Sequence, residues 1–87
     1  MDSTYELAYA RYLDVEGIKW RRNTCGFTYS YEGNRHEYIP DFHLPNKETY
    51  VEVKGFKTEK DERKWEQFPH DLDVLFKEDL EQLGCDI

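Results

Sequence analysis

At 87 residues the chain holds one domain, and a core limited to burying roughly 60% of the unfolded surface draws on an aromatic content of 16%. No apolar run approaches the roughly 18 residues that span a membrane, which excludes a helical membrane protein, and Met1-Asp2-Ser3-Thr4 lacks the basic-then-apolar pattern of a secretory signal, which points to the cytosol. A net charge of −7 is unfavourable for a nucleic-acid surface, but six of the acids (Asp71, Asp73, Glu78, Asp79, Glu81, Asp86) lie after residue 70 against one base, Lys77, so the body of the chain is nearly neutral.

In chain order, Ser3 caps an opening helix and Glu6, three residues on, completes a capping box. Leu7, Ala8, Ala10, Tyr12 and Leu13 supply its apolar stripe, and Val15 to Gly17 ends it. Lys19, Arg21 and Arg22 then flank Trp20, which reads as a basic cluster or as an edge strand with a core Trp. Phe27 to Tyr31 alternates with period two and predicts a strand. Glu32-Gly33-Asn34 predicts a hairpin turn. Glu37 to Leu44 is the second strand, with Pro40 marking an edge or a distortion. After a turn at Pro45-Asn46-Lys47, the β-branched and aromatic stretch Thr49 to Lys54 is the third strand, broken by Gly55. A polar helix spans Thr58 to Phe68, with Trp65 and Phe68 inward and Pro69 as its stop. Asp73 to Phe76 is a fourth strand, and Glu78 to Leu83 is a last helical turn ended by Gly84. The first three strands are expected to form a meander. The order predicts an α/β or α+β domain: a central mixed four-stranded sheet flanked by helices, αβββαβ(α).

The chemistry concentrates in the second and third strands. Glu52 and Lys54 are two residues apart and so share a face, while Val51 and Val53 point the other way into a core. Asp41 lies on the neighbouring strand, opposite them. Two carboxylates on adjacent strands suit a hard divalent cation, with water and phosphate oxygens completing its shell. The backbone carbonyl of Val53 is a further candidate ligand. Such a cation polarises a phosphoryl oxygen and acidifies a bound water, and a nearby Lys holds or deprotonates that water or offsets charge in the transition state. The competing reading is a surface ion pair between Asp41 and Lys54 with Glu52 solvated.

Pro40-Asp41, ten intervening residues, then Glu52-Val53-Lys54 resembles the PD-(D/E)xK nuclease motif. The surrounding order of elements fits that family's restriction-endonuclease-like core. The small phage and archaeal members, endonuclease I-like and Holliday-junction resolvase-like enzymes, are the nearest in kind, along with a transposase subunit that cuts 5′ ends. The resemblance implies a DNA endonuclease using magnesium or manganese, in a bacterial or phage-infected cell. Asp41 and Glu52 then bind the metal and Lys54 is catalytic. A Glu on the first helix often assists, and Glu6 is the candidate here, in competition with its capping role. The resemblance also implies a basic or amide residue on the helix after the motif, for which Lys64 is the first candidate and Gln67 the second.

Other residues carry weaker signals. His43 shares the face of Asp41 and reads as a site neighbour or a simply exposed strand-end residue. Lys57, Lys60 and Lys64 recur at helical spacing and suggest a ridge toward a phosphate backbone, although Glu59, Asp61, Glu62 and Glu66 interleave and favour a solvated, ion-paired helix equally. Arg21 and Arg22 are a second candidate DNA contact. So small a footprint suggests a homodimer, and the acidic stretch from Asp71 to Asp86 is a solvated face or a protein-docking surface. Cys25 and Cys85 lack metal-ligand spacing and read as free thiols.

Overall fold

A computed structural model describes residues 3–85, apart from the side chain of Ser3. Its elements are α1 (Ser3–Val15), β1 (Arg21–Arg22), β2 (Phe27–Tyr31), β3 (Asn34–Tyr38), β4 (Phe42–Leu44), β5 (Thr49–Val53), α2 (Glu59–Glu66), β6 (Asp71–Leu75) and α3 (Lys77–Leu83). Among the described residues the fold is mixed α/β, with three helices and a four-stranded mixed sheet in the order β1-β4-β5-β6. β4 runs antiparallel to β1 and β5, and β6 runs parallel to β5.

The expected meander is corrected. Residues 37–44 form two strands, not one, because the chain leaves the ladder at Ile39-Pro40-Asp41. β2 and β3 pair only with each other and stand apart as a hairpin. The place next to β4 is taken by the two arginines of β1, with Arg22 opposite Phe42 and Arg21 opposite His43. Proline explains part of the break, since it donates no ladder hydrogen bond. The buried side chain of Asn23 supplies the rest: its amide donates to the carbonyls of Pro40 and Cys25, both at 3.0 Å. The Asn23 backbone N–H reaches the Asp41 carbonyl at 3.1 Å and continues the β1–β4 edge.

The expected hairpin turn is present. Glu32 and Gly33 both have positive φ, 51° and 78°, as a two-residue loop between strands of natural twist requires. Gly84 likewise ends α3 in the left-handed conformation.

One face of the sheet is apolar. Phe42, Leu44, Val51 and Val53 pack on Tyr9, Ala10 and Leu13 of α1 and on Leu80 of α3. Each large side chain there contributes about 1.5–3 kcal/mol on burial. Leu7, assigned to the α1 stripe from sequence, is instead half exposed, and Tyr9 takes its place. The opposite face lies toward the hairpin and α2, where Phe27, Tyr38, Tyr50 and Phe68 meet edge to face. Gln67 fastens this layer, accepting from the Ser30 amide and donating to the Ser30 carbonyl at 2.8 Å each. Glu52 alternates with the buried valines of β5 and so projects into this second layer, between the sheet and α2.

Candidate active site

The break at Pro40 is what delivers Asp41 to the site. Pro40 is fully buried, and Asp41 sits one residue ahead of β4 rather than within a strand. Its Oδ2 accepts a hydrogen bond from the Val53 amide at 2.9 Å, which ties it to the end of β5 beside Glu52. The contact that Val53 makes in the site is therefore through its N–H, and its side chain belongs to the apolar core.

Glu52 is only 2% exposed. That overturns the reading of a solvated Glu52 beside a surface Asp41–Lys54 pair. Burial raises the pKa of Glu52 well above the usual carboxylate range, the charge of Asp41 raises it further, and Lys64 and Lys54 oppose the shift. Burial also raises Asp41, against the Val53 amide bond, and the charge of Glu6 adds to the rise. The charge of Asp41 thus disfavours the ionisation of Glu52, while Glu52 acts on Asp41 in the opposite sense as a hydrogen-bond partner.

Lys54 lies just past β5, where its amide continues the parallel ladder to the Leu75 carbonyl at 2.9 Å. Its ammonium pairs with Asp61 at 3.3 Å. Lys64, from the next turn of α2, pairs with Asp61 at 3.1 Å and reaches Glu52 at 3.7 Å. Its ammonium also lies 4.5 Å from the centre of the Tyr38 ring. Tyr38 is buried on the side of Glu52, because the chain break interrupts the strand alternation between it and Asp41.

Asp61 is the residue that sequence reasoning passed over. In the sequence it is one acid of a solvated, ion-paired helix, and in the structure it is ion-paired but only 4% exposed. Burial pushes its carboxyl up, but hydrogen bonds from Lys64 and from the Thr58 hydroxyl and amide outweigh this and hold it at about 2. The available signal was Thr58-x-x-Asp61, a capping box ahead of a helix, which the structure forms in full.

The remaining candidates are distributed more loosely. Glu6 projects from α1 toward Asp41 and forms an ion pair with Arg22. The capping box proposed for Ser3 falls on a side chain outside those described. Arg22 also covers the Phe42 ring at 4.9 Å. Arg21 donates to His43 Nδ1 at 3.1 Å, and His43 stacks on Tyr50. Lys57, Lys60 and Lys64 do not form one ridge. Lys57 precedes α2 and pairs with Glu62 at the surface, Lys60 is exposed, and Lys64 turns inward. Cys25 and Cys85 are free thiols.

The donor set can be tested against a divalent cation. Among the described residues no group of three or more His, Cys, Asp or Glu side chains converges as a metal site. Two carboxylates, Asp41 and Glu52, do lie together, and Glu52 Oε1 is buried without a hydrogen-bond partner. The Tyr38 hydroxyl and Trp65 Nε1, also buried, lie close by without reaching hydrogen-bond geometry. Two carboxylate ligands with the rest of the shell from water and phosphate suit magnesium or manganese. Such oxygen donors do not suit a four-ligand structural zinc.

Comparison with models of known protein families, with curated proteins and with solved structures finds no match to this chain. Among the described residues no helix is long and apolar enough to cross a membrane.

Proposed function

We propose that the chain is a PD-(D/E)xK-type endonuclease domain with a restriction-endonuclease-like core, which hydrolyses DNA phosphodiester bonds with magnesium or manganese. The observation that carries this reading is the pair Asp41 and Glu52. They are two buried acids in one site, both pushed toward the neutral form, beside two lysines. A fold gains nothing from burying like charges, and such pairs concentrate at functional sites.

In this reading Asp41 and Glu52 hold the cation, which when bound acidifies a water and polarises the phosphoryl group. Asp41 is pre-set by the Val53 amide. Glu6 adds negative charge from α1 near Asp41 and is paired with Arg22. Lys54 is locked against the Asp61 carboxylate, so its part is to offset charge on the phosphate rather than to withdraw a proton from water. Lys64 does the same from α2. A homodimer that places two sites on two strands goes with this reading and is tested by sedimentation.

One observation favours a second reading. Three of the basic residues expected to meet DNA are already engaged by acids, in the pairs Arg22–Glu6, Lys57–Glu62 and Lys64–Asp61. A nuclease-fold subunit that borrows DNA affinity from a protein partner, docked on the acidic stretch after Asp71, would need no basic surface of its own. Supercoiled plasmid and a four-way junction, each incubated with magnesium at low salt, separate the possibilities. Wild type is expected to nick or cut, and Lys54→Ala and Asp41→Ala are not. If wild type leaves both substrates intact, the free enzyme is ruled out.

A further inference from the structure

Asp61 combines two tasks through its two carboxylate oxygens. Oδ2 serves the helix: it accepts from the Thr58 amide at 3.0 Å and the Thr58 hydroxyl at 2.9 Å. Oδ1 serves the site: the ammonium groups of Lys54 and Lys64 both close on it, at 3.3 and 3.1 Å. Lys54 comes from the end of β5 and Lys64 from one turn further along α2, so this single oxygen joins the strand to the helix. Without it two like charges would repel in a partly buried setting, and their long stems would spread.

We propose that Asp61 is a positioning residue, which starts α2 with one oxygen and with the other holds Lys54 and Lys64 as a paired cationic cradle for the oxygens of a phosphodiester group. This rests on the nuclease reading. Asp61 itself touches no reacting atom; it acts by keeping two flexible ammonium groups on the Glu52 side of the site, where Lys64 lies 3.7 Å from that carboxylate. The helix cap and the lysine contacts thus meet on one carboxylate but use separate oxygens, so each can be removed without the other.

Two variants separate the two tasks. Asp61→Asn keeps a polar group toward Thr58 and removes the charge between the lysines. Thr58→Ala removes the cap and leaves that charge. Each is assayed as the full chain for plasmid nicking with magnesium. Each is also assayed without metal or DNA for acetylation of Lys54 and Lys64 by an amine-reactive ester, read by mass spectrometry. Asp61→Asn is expected to lower kcat by about tenfold to a hundredfold, the usual scale for a misplaced group, with KM little changed and both lysines acetylated faster. Thr58→Ala is expected to lower the melting temperature while leaving kcat and both acetylation rates near wild type. Asp61→Glu is expected to recover part of the lost kcat. If Asp61→Asn does not fold, Asp61→Ser takes its place. Equal kcat losses in Thr58→Ala and Asp61→Asn, or unchanged lysine reactivity in Asp61→Asn, overturn the proposal. If wild type does not nick, the free-enzyme reading fails, and the acetylation rates alone decide whether Asp61 holds the pair.

Discussion

Asp61 and Glu52 are both acids taken out of water, and their surroundings drive them in opposite directions. Asp61 receives hydrogen bonds on one oxygen and two ammonium groups on the other. Glu52 has one oxygen at 3.7 Å from Lys64 and the other without a partner, with Asp41 as a near neighbour. The first carboxyl is held at about 2 and the second is raised. Burial is common to both, so burial does not distinguish a structural acid from a functional one. The distinction lies in whether the protein itself supplies the compensating donors.

The comparison breaks most visibly under mutation. Removing one partner from a buried charge network costs about 3–5 kcal/mol. Asp61→Ala is therefore expected to show a loss of that order in urea denaturation, with two lysines left unpaired. Glu52→Gln or Asp41→Asn removes a charge that the fold resists, and in metal-free buffer at pH 8 each is expected to raise stability by about 1–2 kcal/mol. The same two variants are expected to lose nicking by at least a hundredfold, the scale of losing a main electrostatic contributor. A destabilised Glu52→Gln would show that Glu52 is as well satisfied as Asp61 and would undo the contrast.

Metal sharpens the difference. Magnesium at ten times its dissociation constant stabilises a one-site protein by about 1.4 kcal/mol. A matching rise in melting temperature is expected for wild type and not for Glu52→Gln, by scanning calorimetry at pH 8. No rise at millimolar magnesium counts against the carboxylate pair as a metal site.

Acidity probes both acids together. Asp61 has a lowered folded pKa, so its contribution is present above the ordinary carboxylate value of about 4 and is lost as pH falls through about 2. Asp41 and Glu52 have raised folded values, so the folded state binds more protons than the unfolded one above about pH 4. Their contribution falls as pH rises through that range. Metal-free stability is thus expected to fall on both sides of a maximum in mildly acidic buffer. A urea midpoint that climbs steadily to pH 8 contradicts this.

The smallest effect is expected at Arg22. Its pair with Glu6 is largely exposed on the arginine side, and Arg22→Ala is expected to cost no more than about 1 kcal/mol. A loss several times larger would mean that Arg22 seals the core through Phe42 rather than restraining Glu6.

Much of the fold was legible in the sequence because it rests on local rules. The hairpin turn at Glu32-Gly33, the stop at Gly84, the apolar stripe of α1 and the alternation of β5 follow from residues a few positions apart. Asp41, Glu52 and Lys54 were legible as a spacing, and the structure brings the first two together. What escaped was non-local. The edge strand suggested beside a core Trp20 is present at Arg21-Arg22, but its pairing with β4 depends on Asn23 reaching across to Pro40. The split of residues 37–44 follows from the same contact. Asp61 looked like any acid of a charged helix, since nothing in its neighbourhood encodes that Lys54 will arrive from another element.

The sequence by itself determined which residues alternate toward a core and where turns begin, because side-chain period and backbone sterics act over a few residues. Only the tertiary structure decided which charges leave water. Burial of Glu52 and Asp61, and the different fate of each, depends on which donors the folded chain places beside them, and those donors come from the end of β5 and from α2 with its cap.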